Sequence, residues 1–344
     1  MPGEGRGGKP VHKVIVDEIL PYLPLKLRSA IALMPGEVLS RTGEIRLRRG
    51  RPVMLLAGDD EIVVAARGGA ARQGDDPYII SDQEALATLQ LMAGGSLYAF
   101  EEEIRQGYIT LRGGHRVGLV GRAVIERGQV KVLKDISGFC VRVAREVLGA
   151  ADSVMPHIIK SRTRLFHTLI ISPPRCGKTT LLRDITRQAS DGVPSLGFPG
   201  IQVGVVDERS EIAACYAGVP QNTVGLRTDV LDACPKAEGM IMLVRSMSPD
   251  LVVTDEIGRE EDVLAICEVM NAGVSMIATA HGESLEDVAE RPTLKSVFEG
   301  RLFERAILLS HANGPGTVEG ILDARTRKVL VAGPHGDNAR ACAP

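Results

Sequence analysis

A short run of residues near the middle of the chain has the types and the order that phosphate binding requires. It follows the apolar run 169–171 and precedes a helix-like segment at 181–185. A loop between a strand and a helix holds an anion with its backbone N–H groups and the helix N-terminus, and a lysine adds positive charge at the terminal phosphates. We therefore expect a nucleoside triphosphate site, formed by Ser172, Pro173, Pro174, Arg175, Cys176, Gly177, Lys178, Thr179 and Thr180.

One position departs from the usual G-x-x-x-x-G-K-[ST] pattern of such a loop, because Ser172 stands where the first glycine is expected. Gly177, Lys178 and Thr179 match the remaining positions. A serine fits the first position if its φ stays negative, and the two prolines that follow it stiffen the loop by fixing their own φ angles. A chance turn between a strand and a helix is the alternative, and a second element downstream argues against it.

The second element is the apolar run 251–254, which ends in two carboxylates, Asp255 and Glu256. We expect Asp255 to hold Mg²⁺ together with the Thr179 hydroxyl, and Glu256 to orient or deprotonate the attacking water. Neighbouring residues of a strand point to opposite faces, so two separate roles require the strand to end there, and Gly258 favours such an ending. A solvated strand end with two acids is the alternative.

Another apolar run, at 203–206, also ends in acids. Asp207 and Glu208 follow it directly, and Glu211 comes soon after. In a parallel α/β sheet the ligand lies at the carboxyl ends of the strands, so these side chains are candidates to face the metal or the water. The alternative is an exposed helix N-terminus, where acids are favoured by the helix dipole.

His281 follows the run 275–279, which is the next strand along the chain after the two carboxylates. An imidazole at this position can sense the γ-phosphate by hydrogen bonding. A lone histidine is more often a structural residue, so both roles stay open for His281.

Two arginines beside glycines in the N-terminal half, Arg116 and Arg122, are candidates for a catalytic arginine supplied by a neighbouring subunit. Such an arginine stabilises the charge that develops during phosphoryl transfer. A surface arginine on an antiparallel sheet is the alternative, and the residues alone slightly favour it.

The composition restricts the class of protein. The 344 residues suffice for two domains. A balance of 41 lysines and arginines against 43 aspartates and glutamates, with 3% aromatic residues, argues against a nucleic-acid partner. Six cysteines without a C-x-x-C pair favour a reduced, cytoplasmic chain without a zinc site. No apolar run reaches the ~18 residues of a membrane span, and the N-terminus lacks a signal peptide's apolar region, so we expect a soluble protein.

The order of apolar runs predicts two domains. Residues 151–330 alternate strand and helix signals, with strands at 169–171, 203–206, 251–254, 275–279 and 305–309, which predicts an α/β fold with a parallel sheet. Residues 11–150 predict a smaller α+β domain and linker. We expect paired strands at 45–48 and 53–56, a helix at 81–97 with Ser81 and Glu84 in a capping box, an antiparallel meander through 108–132, and a connection at 141–152. Residues 1–10 and 331–344 are expected to be tails.

These segments together resemble the family of stage III sporulation protein AA over about residues 20–325. The resemblance is carried by segments 98–108, 170–180, 206–212, 234–237 and 245–249. That family is similar to the ATPases of type II and type IV secretion and of pilus motors, which place an N-terminal domain before a RecA-like P-loop NTPase domain and work as hexameric rings. The corresponding boxes here are the phosphate-binding loop, the acidic box, the Walker B strand end and the histidine box, at Ser172–Thr180, Asp207 to Glu211, Asp255–Glu256 and His281.

The resemblance implies ATP and Mg²⁺ as cofactors and a homo-oligomer, a hexamer, as the working form. It further implies a cytoplasmic ATPase in the mother cell of a spore-forming bacterium, peripheral to the forespore membrane through its partners. Those partners are the membrane-channel proteins of the same sporulation operon. Two alternatives stay open: an ATP-binding ring that scaffolds the channel while hydrolysis is incidental, and a RecA-like nucleic-acid translocase, against which the charge balance and the scarce aromatics count.

Overall fold

The computed structural model describes residues 10–95 and 100–334, and the chain divides into two units, Met1–Glu146 and Val147–Pro344. Several expectations fall outside the described residues. They are the N-terminal tail up to residue 9, Leu97 of the helix expected at 81–97, Tyr98 and Ala99 of a family segment, and the C-terminal tail from residue 335. The expected length of that helix is wrong, because the helix ends at Met92 and Gly94 and Gly95 follow in a turn with φ angles of 56° and 82°.

The N-terminal unit packs helices against an antiparallel sheet. The α-helices of the described part are α1 (Val11–Val14), α2 (Leu25–Ala32), α3 (Gly36–Arg41), α4 (Asp82–Met92) and α5 (Glu101–Arg105). A π-helix (Ile15–Ile19) and a 3-10 helix (Leu20–Tyr22) follow α1. The strands are β1 (Thr42–Arg48), β2 (Met54–Ala57), β3 (Asp60–Val63), β4 (Tyr108–Thr110), β5 (Arg116–Glu126) and β6 (Gln129–Arg142), in the order β3-β2-β1-β6-β5-β4. Buried side chains from the helices and the strands form one apolar core, which includes Ile15, Leu27 and Ile45.

Two features of this unit bear on the expectations from the sequence. Ser81 caps α4, and Glu84 completes the capping box, as predicted. The expected connection at 141–152 is wrong at its start, because β6 continues to Arg142. Val141 pairs with Ile45 on β1 and is fully buried. Burial of this apolar side chain in the core favours continuation of the strand.

The Val147–Pro344 unit is an α/β fold built on a mixed sheet. Its α-helices in the described part are α6 (Met155–Ile158), α7 (Lys178–Asp191), α8 (Lys236–Met247), α9 (Glu260–Asn271), α10 (Leu285–Ala289) and α11 (Pro292–Glu299). Its main-sheet strands are β9 (Thr168–Ser172), β10 (Val203–Asp207), β11 (Thr228–Asp232), β12 (Leu251–Thr254), β13 (Ser275–His281), β14 (Arg305–Ser310), β15 (Thr317–Asp323) and β16 (Val329–Ala332). A separate hairpin is formed by β7 (Ile159–Ser161) and β8 (Arg164–Leu165).

The main sheet has the strand order β11-β10-β12-β13-β9-β14-β15-β16. The strands from β11 to β14 run parallel, whereas β15 and β16 are antiparallel. Leu169 and Ile171 pack into one apolar cluster and Ile170 into another. Because side chains alternate along a strand, β9 is buried on both faces, as parallel strands covered by helices are.

The parallel strands expected from the apolar runs are present, and two antiparallel strands that the runs do not predict, β15 and β16, complete the sheet. A crossover to a parallel strand needs a dozen or more residues, and the turn from β14 to β15 is too short for one. Gly314 and Gly316 have φ angles of 99° and 92° in this turn, which glycine adopts without strain. The strand β16 then extends to Ala332, into the region expected to be a tail.

The parallel strands all end at the same edge of the sheet. His281 at the end of β13 pairs with Ser172 at the end of β9, and Thr254 of β12 pairs with Ala278 of β13 and Val206 of β10. The loop after β9 and the acids after β10 and β12 therefore meet at one edge, where α/β sheets bind their ligands.

The substitution Ser81→Ala should lower the free energy of unfolding by about 1 kcal/mol, because it removes the hydroxyl that caps α4. In the structure this hydroxyl accepts the Glu84 N–H at 3.3 Å. Urea unfolding followed by circular dichroism measures the change. Ser81→Thr keeps the hydroxyl and serves as the control, and an unfolding midpoint of Ser81→Ala equal to that of the wild type would contradict the prediction.

Candidate active site

The loop between β9 and α7 has a backbone shape that depends on glycine at one position. Gly177 is the N-cap of α7 with φ 83°, and a Cβ there would lie 2.9 Å from the backbone nitrogen of Gly316. Arg175 also has a positive φ, 62°, whereas Ser172 does not. Ser172 therefore fits the first position of the loop without the conformational freedom of glycine. In the described part of the chain no side chain caps α7, so the helix N-terminus can receive an anion.

Lys178, the first residue of α7, reaches back across the loop. Its Nζ donates to the carbonyl oxygens of Ser172 and Pro173, each at 3.2 Å, and lies 3.0 Å from Nδ1 of His281. Burial lowers the pKa of the Lys178 ammonium, and the nearby Glu256 opposes this effect. The ammonium is thus held between the phosphate-binding loop and the end of β13.

His281 connects this lysine to Glu256. An ammonium has only donors, so Nδ1 of His281 accepts from Lys178 and the ring proton lies on Nε2. Nε2 is 2.9 Å from Oε1 of Glu256, and the other carboxylate oxygen accepts from Arg209 at 3.0 Å. A continuous series of polar contacts therefore runs from Lys178 through His281 and Glu256 to Arg209.

The backbone of Glu256 is strained. Its φ is 33°, which is uncommon for a residue with a side chain and is found chiefly where the surroundings hold it. Those surroundings are provided by Thr279 of β13, whose Oγ1 accepts the Glu256 N–H and whose carbonyl accepts the Ile257 N–H, both at 2.9 Å. The strand β13 thus sets the direction in which Glu256 leaves β12.

Asp255, the residue before Glu256, is buried, with 2% of its surface exposed. Its Oδ1 has no hydrogen-bond partner among the described residues, and the Lys236 ammonium lies 3.5 Å away. Burial raises the pKa of Asp255; Lys236 opposes this effect, and Glu211 and Glu256 add to it. The carboxylate therefore has an oxygen available for a further cation.

The residues of the acidic box divide into separate tasks. Asp207 accepts the backbone N–H groups of Glu211, Ile212 and Ala213 at 2.8, 3.0 and 2.8 Å, so it shapes the following loop. Burial raises the pKa of Asp207 to about 6, although these hydrogen bonds lower it. Glu208 forms an ion pair with Lys236 instead.

One cleft of about 460 Å³ brings most of the predicted site residues together. It is lined by Pro174, Arg175, Gly177, Lys178, Thr179, Thr180, Glu211, Glu256 and His281. Ser172 and Pro173 touch the site through Lys178, and Cys176 is buried beneath the loop, where its carbonyl accepts the Gly316 N–H.

The two candidate arginines lie in the N-terminal unit, on β5. The Arg116 guanidinium stacks on the Tyr108 ring at 3.8 Å. Arg122 is largely exposed and forms an ion pair with Asp135 at 2.9 Å. The role of either arginine in a neighbouring subunit's site stays a prediction.

The sequence alone predicts no role for Lys236, Arg209 or Thr279. Lys236 belongs to one of the family segments, Arg209 stands between the acids of the acidic box, and Thr279 precedes His281 by two positions on the same strand. Only Thr279 could have been connected with the site from the sequence, because alternate residues of a strand face the same side and His281 is two positions away.

Two further observations concern the described residues alone. No three His, Cys, Asp or Glu side chains of residues 10–95 and 100–334 converge on a common metal position. Among the helices of the same ranges, none has the length and apolar character needed to cross a bilayer.

The chain is similar to known proteins in sequence and in fold. The family model of sporulation stage III, protein AA, matches residues 16–329. Stage III sporulation protein AA of Bacillus subtilis (strain 168) is 45% identical over 308 residues, which are 90% of this chain and 95% of that protein.

Two solved structures share the fold. The ATPase DotB of Legionella pneumophila has a TM-score of 0.51 at 14% identity and covers 78% of this chain and 72% of its own. The pilus retraction motor PilT with bound ADP has a TM-score of 0.52 at 15% identity, covering 94% of this chain and 86% of its own. At such low identity the likeness is one of fold.

Replacing Thr279 by valine should lower the free energy of unfolding by about 1 kcal/mol, because the Glu256 N–H loses its acceptor while the side-chain volume is kept. Chemical denaturation measures the loss. Thr279→Ser, which retains the hydroxyl, should stay closer to the wild type. Equal stability of the valine variant and the wild type would show that Thr279 does not hold the strained backbone.

Proposed function

We propose that this chain, which belongs to the family of sporulation stage III protein AA, is a Mg²⁺-dependent ATPase. The observation that carries the proposal is the series of contacts Lys178–His281–Glu256 in the cleft beside the loop that precedes α7. An ammonium that can bind phosphates and a carboxylate that can accept a proton from water thus line the same cleft. The fold shared with the ATPase DotB and the motor PilT supports the assignment.

The residues present fit a nucleotide with its metal. Gly177 leaves room where a side chain would collide with Gly316, and Asp255 has a buried oxygen without a hydrogen bond from any described residue. Mg²⁺ is held by hard oxygen ligands, usually one or two carboxylates with substrate phosphates and waters, so a ready-made cluster of protein ligands is not required. Asp255 and the Thr179 hydroxyl would hold the ion, which supplies charge neutralisation at the phosphates when bound.

The side chains of the cleft divide the work of hydrolysis. The backbone N–H groups at the start of α7 and the Lys178 ammonium bind and orient the phosphates. Glu256 accepts a proton from the attacking water, which is general-base catalysis. His281 and Arg209 fix the two oxygens of Glu256, so that the carboxylate keeps one orientation.

We propose a hexameric ring as the working form, with an arginine of one subunit completing the site of the next. Arg122 suits this task better than Arg116, because its side chain is largely exposed on β5 whereas that of Arg116 is stacked on Tyr108. The cellular placement is likewise a proposal supported by the family: the cytoplasm of the mother cell, beside the forespore membrane, with the channel proteins of the same operon as partners.

Lys178→Ala should weaken binding of a fluorescent ATP analogue by more than about tenfold, because a charged hydrogen-bond donor to the phosphates is lost.

Glu256→Gln should keep binding and lower Mg²⁺-dependent phosphate release by at least about a hundredfold, because the general base is lost. The exposed residues Lys295 and Glu260 provide matched controls as Lys295→Ala and Glu260→Gln. Full turnover in Glu256→Gln would remove the role assigned to Glu256.

The same assay separates the remaining alternatives. Nucleotide binding that Lys178→Ala abolishes, without turnover in the wild type over a range of protein concentrations, would favour an ATP-binding scaffold. Turnover that rises on addition of DNA or RNA and falls steeply with salt would favour a nucleic-acid translocase.

Mixing two inactive variants tests the arginine of the neighbouring subunit. Arg122→Ala subunits retain Glu256, and Glu256→Gln subunits retain Arg122, so mixed rings contain some complete sites and should regain turnover. A mixture of Arg122→Ala with the double variant contains no complete site and should stay inactive. No recovery in the first mixture would exclude Arg122, and the same experiment then applies to Arg116.

A further inference from the structure

Lys236 is a buried lysine that the proposed mechanism does not use. It is the first residue of α8, directly after the N-cap Pro235, and its side chain is 5% exposed. Asp207 and Asp232 are paired at the ends of β10 and β11, so α8 begins at the edge of the sheet that carries the site. Burial of an ammonium and its position at the positive end of a helix are both unfavourable.

Two carboxylates offset this cost. The Lys236 ammonium forms an ion pair with Oε2 of Glu208 and lies 3.5 Å from Oδ1 of Asp255. Glu208 follows β10 and Asp255 follows β12, and these strands are direct neighbours. One ammonium thus ties two strand ends together beside the cleft.

The contact with Asp255 distinguishes Lys236 from an ordinary structural ion pair. Asp255 Oδ1 receives no hydrogen bond from the described residues, so the ammonium at 3.5 Å is what restrains this oxygen. Glu208 holds the ammonium from the other side, and its second oxygen lies 4.0 Å from the exposed Arg259. A carboxylate oxygen has two lone pairs, so Asp255 Oδ1 can face the ammonium with one of them and offer the other to a cation in a fixed direction.

We propose that Lys236 is a positioning residue of the nucleotide site. Its ammonium fixes the Asp255 carboxylate in the orientation that receives the metal of a bound Mg²⁺–nucleotide, and Glu208 keeps the ammonium in place. The inference rests on the proposed function and adds a residue that acts through Asp255 without touching the nucleotide. Segment 234–237, which has no part in the proposed hydrolysis, thereby gains a role through Lys236.

The test compares binding of a fluorescent ATP analogue in excess Mg²⁺ and in EDTA. The wild type should bind more tightly with Mg²⁺. Lys236→Met keeps the length of the side chain and removes its charge, and it should lose about tenfold of the Mg²⁺ enhancement, as loss of a residue that orients a metal ligand does. Its affinity in EDTA should stay that of the wild type. Lys236→Arg should recover part of the enhancement, and Lys295→Met, at an exposed site, should change nothing.

The outcomes separate this inference from the proposed function. A full or larger Mg²⁺ enhancement in Lys236→Met overturns the inference and leaves the proposed function intact. An equal loss of affinity in Mg²⁺ and in EDTA does the same, because it shows that Lys236 has only a structural role. A wild type that binds no ATP analogue overturns both. If Lys236→Met does not fold, Glu208→Gln is the substitute variant, because it removes the ion-pair partner of the Lys236 ammonium. It should lose part of the Mg²⁺ enhancement, and an unchanged enhancement in Glu208→Gln also overturns the inference.

Discussion

The pairing of β13 with its two neighbours is the constraint on which the candidate site depends. On one side it places His281 opposite Ser172 of the phosphate-binding loop, and on the other Ala278 opposite Thr254, which precedes Asp255. A shift of one residue in either register would turn the side chains of β13 to the opposite faces of the sheet. The contact of His281 with Lys178 and that of Thr279 with Glu256 would then both be lost. The chemistry of the cleft is therefore fixed by backbone hydrogen bonds of a buried strand.

Charge compensation explains the grouping of the side chains at this edge. Removing an ammonium or a carboxylate from water is costly unless an opposite charge or hydrogen bonds replace the solvent. Lys178 faces Glu256 through His281, and Lys236 faces Asp255 and Glu208, so each buried ammonium has its own carboxylate partner. The two groups meet at the neighbouring residues Asp255 and Glu256, where the metal and the water are expected to act.

Local sequence predicts the strands and the loop, because apolar runs and the glycine–lysine–threonine order depend on near neighbours. It does not reveal the contacts that organise the side chains, since these join distant positions. Lys178 and His281 are 103 residues apart, and Lys236 reaches Glu208 across 28. The strained φ of Glu256 is set by Thr279 on another strand. These features follow from the strand order of the sheet, which the pattern of runs along the chain leaves undetermined.

The serine at the start of the loop illustrates how such contacts change the meaning of a motif. A glycine is required where φ is positive or where a Cβ has no space, and Ser172 meets neither condition. Its hydroxyl donates to the Pro173 carbonyl at 2.8 Å and accepts from Lys178 at 3.3 Å. A glycine would keep the backbone and remove both contacts. Ser172 therefore adds a side-chain support for the lysine, and its departure from the usual pattern gives no physical reason to expect a weaker phosphate site.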